Sequence, residues 1–107
     1  MAYGARAICA LLLIYQHKHG LHTIEGMINR WAPPVENNTS AYVKSVSDFT
    51  GVPKDSLFDL TVAANMCSIV EAIICQENGL NRVIVYKYLP DIQSGVNMAL
   101  GITNEPA

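Results

Sequence analysis

At 107 residues the chain is sized for one hydrophobic core rather than two, and with no repeat, low-complexity stretch or linker it reads as a single helical domain over 1–107. Half of its residues are apolar and only 15% are charged, which excludes a disordered chain and leaves more apolar surface than so small a domain hides easily. The net charge is −2 and the basic residues stand singly along the chain, without the clustering that a phosphate-binding surface needs, so nucleic acid is not an expected partner.

The first predicted helix covers Ala5 to His19 and contains the longest apolar run, Ile8 to Tyr15. A membrane span takes about 20 such residues, and the polar Gln16-His17-Lys18-His19 that follows offers no small-residue cleavage site. The run is therefore expected in a core, with no membrane contact, and Gly20 suits a left-handed stop. Thr23 is placed as the N-cap of a second helix. Its apolar residues Ile24, Met27, Ile28 and Trp31 fall at i, i+3, i+4 and i+7, and Pro33-Pro34 ends it.

A third helix starts after Asn38 and Thr39, carries Tyr42, Val43, Val46 and Phe49 on one face, and closes at Gly51. Pro53 to Leu60 reads as a turn or a single helical turn. The fourth helix starts near Thr61, with the stripe Val62, Met66, Ile69, Val70 and Ile73 and a stop at Gly79. Arg82 to Leu89 stays open between two states. Val83-Ile84-Val85-Tyr86 has strand chemistry, yet a lone strand in a helical chain has no partner within it. The segment is either a connector or an edge that pairs with another subunit. A fifth helix from Pro90 or Asp91 carries Ile92, Val96, Ala99 and Leu100, and Asn104 to Ala107 forms a loose tail. The fold class that follows is all-α, a compact bundle of about five helices.

Few residues suggest chemistry. His17, His19 and His22 lack the i, i+4 spacing that turns two imidazoles toward one ion, so no metal and no cofactor is expected, and a helix C-terminus accounts for the histidines. Cys9, Cys67 and Cys75 are odd in number. Cys67 and Cys75 lie about 12 Å apart along one helix, too far to bridge, and reduced buried thiols are the plain expectation. Glycoside hydrolysis would need an acid in an apolar cleft, commonly paired with a second carboxylate. Glu36 and Glu77 are the residues available for it, while Glu71 is expected at the surface. Asn37 and Asn38 beside Glu36 could hold a sugar or simply cap the third helix. Trp31 could stack on a sugar ring, or complete the core stripe of its helix. Capping and core are the favoured readings. Val83, Ile84 and Val85 are consecutive, so no regular element buries all three on one face. With Tyr86 they form the expected contact with another protein chain.

Several stretches carry a resemblance. Leu11-Leu12-Leu13-Ile14-Tyr15-Gln16, His19-Gly20-Leu21-His22-Thr23-Ile24, Ile28-Asn29-Arg30-Trp31-Ala32-Pro33-Pro34 with Glu36-Asn37-Asn38-Thr39, and Ala41-Tyr42-Val43 resemble a family of bacteriophage virion structural proteins. Gly51-Val52, Ala72-Ile73-Ile74 and Glu77-Asn78-Gly79 look like its later helices. The layout is similar to phage peptidoglycan-processing domains of the lysozyme-like kind, of which this chain would be one lobe. In that family the region follows a segment rich in Asn, Pro and Gly, whereas this chain opens at Tyr3-Gly4-Ala5-Arg6-Ala7. The resemblance then implies that a substrate cleft lacks one wall.

The function expected from all this is that of a phage-encoded, non-catalytic structural or interaction protein, in the virion or the host bacterial cytoplasm. Its partners would be a second copy of itself or another virion chain. The alternatives are a reduced lysozyme-like muralytic glycosidase using Glu36 or Glu77, and a phage inhibitor of a host defence system.

Overall fold

The computed structural model describes residues 2–35 and 37–101, with the side chains of residues 2 and 3 left aside. Glu36 and the Asn104 to Ala107 tail lie outside the described residues. Within them the chain forms α1 (Ala2–His19), α2 (Ile24–Trp31), α3 (Thr39–Thr50), α4 (Ala63–Asn78), the short α5 (Arg82–Val85), a 3-10 turn (Tyr86–Tyr88) and α6 (Leu89–Leu100), with no strand. The all-α expectation holds, and the radius of gyration of 13.2 Å matches a folded chain of about this length.

The helix ends follow local chemistry. Thr23 takes the Gly26 N–H at 3.0 Å, and Asn38 takes the Ala41 N–H, so α2 and α3 start where side-chain caps stand. Gly79 closes α4 in the left-handed region (φ 62°), and the Leu80 N–H then reaches back to the Cys75 carbonyl at 2.9 Å. This Schellman-type closure satisfies an end carbonyl that a non-glycine residue would reach only under strain. Gly20 and Gly51 also adopt positive φ, as the stop positions predicted.

Helix α4 is the centre of the fold. Met66, Ile69, Val70 and Ile73 are fully buried, and Ala72, Ile74 and Cys75 are nearly so. Burial on more than one face is possible because α3 packs against one side of α4 and α6 against another, while α1 lies along α6. Each large side chain buried this way contributes about 1.5–3 kcal/mol. The second helix buries Ile24, Met27 and Ile28 and packs on α3. All buried apolar residues belong to one cluster.

The segment between α3 and α4 has turns but no helix of its own. It is held by side chains that pattern reading passed over. Gln16 of α1 is only 5% exposed. Its amide donates to Asp59 Oδ1 at 3.1 Å and accepts from the Leu60 N–H at 2.8 Å. Phe58 and Leu60 beside it are buried.

Candidate functional site

The segment that was open between strand and connector is helical. Asn81 caps it by accepting the Ile84 N–H at 2.9 Å, which starts a turn of α-helix that runs on through the 3-10 turn into α6. A cap and a following proline-led helix outweigh the β-branched composition, because strand preference depends on a partner strand. The idea of an extended edge for β-pairing is therefore corrected. Arg82 fixes the segment to α3: its guanidinium lies 4.0 Å from the centroid of the Phe49 ring and donates to the Phe49 carbonyl.

Helical geometry divides the apolar residues. Val85 turns inward and is 1% exposed, so its place is the core and not a contact surface. Val83 is 78% exposed, Tyr86 69% and Ile84 39%, and Tyr88 stands partly out with them. The outward set is thus Val83, Ile84, Tyr86 and Tyr88, an apolar and aromatic ridge pinned at Arg82. Tyr88 lay within the open segment but was not named for the contact, although it follows Ile84 at i+4, a spacing that shares a face in a helix as in a strand.

Of the carboxylates named for catalysis, Glu77 lies among the described residues. Glu77, at the end of α4, accepts from the Tyr42 hydroxyl at 2.8 Å and from the Trp31 indole N–H at 3.2 Å, both on Oε1. The Trp31 N–H also reaches the Tyr42 oxygen at 3.1 Å. Glu77 is therefore bonded rather than simply solvated, and it ties α4 to α2 and α3. Burial, and then the Glu77 contact, push the Tyr42 phenol well above its ordinary range. Trp31 is half-buried against the core rather than enclosed in it. Glu71 was expected at the surface but is half-buried, and burial raises its pKa while Arg82 opposes the rise.

A polar groove of about 770 Å³ runs between α2 and α3. Asn37 and Asn38 line it, together with Glu25, Lys44, Asp48 and Lys54, while Trp31 and Glu77 do not. Both acids in the groove are taken up in exposed ion pairs, Lys44–Asp48 at 2.7 Å and Lys54–Glu25 at 3.3 Å. Asn38 caps α3 as expected, whereas the Asn37 amide donates back to the Pro33 carbonyl at 3.1 Å and takes no part in the cap. The tryptophan and the two asparagines named for glycan contact are thus not brought to one groove.

His17, His19 and His22 are exposed, and no group of three or more potential metal ligands forms among the described residues. The three thiols are free. Burial pushes Cys9 up to about 12, with nearby Cys67 adding to the rise, and burial brings Cys67 to about 11. No helix among the described residues is long and apolar enough to cross a membrane.

No family model matches the chain. Over 80 residues, 74% of its length, the chain is 42% identical to Protein P5 of Pseudoalteromonas phage PM2. It spans about half the length of this curated relative, 48% of which is covered. The similarity supports a phage protein.

Proposed function

We propose that the chain is a virion-associated phage protein that works by protein–protein contact through the ridge Val83, Ile84, Tyr86 and Tyr88, without catalysis of its own. The observation that carries this reading is the exposure of that ridge on a rigid anchor. Valine and tyrosine side chains left most of the way in water, on a segment capped by Asn81 and clamped by Arg82, cost free energy that a partner surface would recover. Phage origin, supported by the similarity to Protein P5, makes another chain of the particle the natural partner.

The setting of Glu77 supports a role for it in packing rather than in catalysis. A glycosidase pair must face one cleft across about 5–10 Å, and Glu77 instead has Oε1 engaged by two donors away from the polar groove.

Quantitative mass spectrometry of purified particles tests the proposal. The chain should be present as a stoichiometric component, and Val83→Asp or Tyr86→Asp should deplete it while the purified variants keep their helical dichroism. Absence of the parent chain from the particles would overturn the virion assignment. Clearing of a cell-wall suspension by the parent, abolished in Glu77→Gln, would overturn the non-catalytic one.

A further inference from the structure

We propose that residues 53–62 form an acid-released strap: protonation of Asp59 loosens its hold on Gln16 and lets the segment swing away, uncovering Phe58 and Leu60 while the helices stay folded. This does not depend on the ridge or on any partner.

The strap carries two core side chains, Phe58 and Leu60, with no helix to hold them. Its attachments are polar and few. The Phe58 N–H donates to the His22 carbonyl at 2.7 Å, and the Glu25 N–H donates to the Lys54 carbonyl at 3.0 Å. The Asn65 amide of α4 donates to the Asp59 carbonyl at 3.0 Å, Lys54 bridges Glu25 at 3.3 Å, and the hold that depends on a carboxylate within the strap is the node at Asp59. Oδ1 accepts from the Gln16 amide at 3.1 Å, from the Thr61 N–H at 2.9 Å and from the Thr61 hydroxyl at 2.8 Å. The same Gln16 side chain receives the Leu60 N–H, so one buried amide links the carboxylate to the backbone beside a core residue.

Bonds to a charged acceptor are roughly twice as strong as neutral ones. Neutralising Asp59 weakens all three at once, and Gln16, being buried, has no water to turn to. Detachment brings Phe58 and Leu60 out beside Leu57, which is already exposed, so an apolar run appears where a turn had been.

The direction with pH follows from the same contacts. The Thr61 N–H and hydroxyl, then Gln16, hold Asp59 below its ordinary 3.8, with His17 of α1 contributing in the same sense. A carboxylate with a depressed folded pKa stabilises the closed strap above its ordinary value, and that contribution is lost as pH falls through the folded one. From α2 the charged neighbour of the strap is Glu25, paired with Lys54 in an exposed bridge of small energetic weight. The first turn of α4, starting Ala63-Ala64-Asn65, brings no charge. Asp59 is therefore the group that sets the release.

Hydrogen exchange on the full chain, corrected for intrinsic rates, tests the strap. Protection of the Phe58 and Leu60 amides should fall by roughly three- to fivefold between pH 6 and pH 3, as an ordinary carboxyl protonates there ahead of a depressed one, while Ile69 and Ile73 in α4 keep theirs. In Asp59→Asn the two strap amides should be poorly protected at both pH values. Should that variant fail to fold, Thr61→Val removes one donor to Asp59 and should move the loss of protection to higher pH. Parallel loss of protection in the strap and in α4, the same pH dependence in Asp59→Asn as in the parent, or an unmoved transition in Thr61→Val would each overturn the proposal.

Discussion

Tyr42→Phe isolates the contact that joins three helices at the edge of the core. The phenol is buried, donates to Glu77 at 2.8 Å and receives the Trp31 indole at 3.1 Å. Deleting a bond to a charged acceptor costs about 1.5–3 kcal/mol. Two features lower that figure. Glu77 lies at an exposed helix end, where water can replace the phenol, and the Trp31 N–H remains within 3.2 Å of the same oxygen. The expected cost is about 1 kcal/mol, which lowers Tm by about 4–8 °C for a chain near this size. Guanidinium unfolding followed by the fluorescence of Trp31, the single tryptophan, measures it directly. Glu77→Gln in both backgrounds completes a cycle in which the two sites should couple by at least about 0.5 kcal/mol. A Tyr42→Phe protein with an unchanged midpoint, or strict additivity in the cycle, would show that the three-way contact contributes nothing and that Glu77 is a solvated end residue after all.

Other outcomes follow from the same packing. Ile73→Ala, at a fully enclosed site on α4, should cost about 2–5 kcal/mol in denaturant unfolding. Trp31→Ala should cost less than the ~3–5 kcal/mol of an enclosed aromatic, since Trp31 is half-buried and Tyr42 and Glu77 keep their own bond. Gly79→Ala should lose about 1–2 kcal/mol from left-handed strain alone, because nothing lies within 4 Å of the added methyl. The raised phenol and thiols predict alkaline lability. Stability is present below the ordinary values of Tyr42 and Cys9 and is lost as pH rises beyond them, which a pH series of melts reads directly. At pH 8 a thiol reagent should label Cys9 and Cys67 slowly in the native chain and rapidly in guanidinium.

What could be read from the residues, and what could not, divides along physical lines. Helix faces and stops are local properties, so the left-handed glycines at 20, 51 and 79 and the stripe Met66, Ile69, Val70, Ile73 were legible, while Val62, predicted to lead that stripe, stands before α4 as its exposed N-cap. The Arg82 to Leu89 segment stayed open because β-branched residues are assigned by what they pack against, and Asn81 capping with Arg82 clamping on Phe49 decided for helix. The polar joints were invisible for a different reason. Gln16 meets Asp59 across 43 positions and Trp31 meets Glu77 across 46, and no spacing rule reaches that far. The split of Val83 from Val85 needed the helix period itself, and it reduces the predicted four-residue contact to three of its members, with Tyr88 added.

Paired aspartates test most directly whether Val83 stands outward on a folded core that holds Val85. Val83→Asp should keep the helical dichroism and melting behaviour of the parent while its amount in purified particles falls. Val85→Asp, which would place a charge in the core two residues away, should unfold. A Val83→Asp chain incorporated as well as the parent, or one that unfolds like Val85→Asp, would contradict the account.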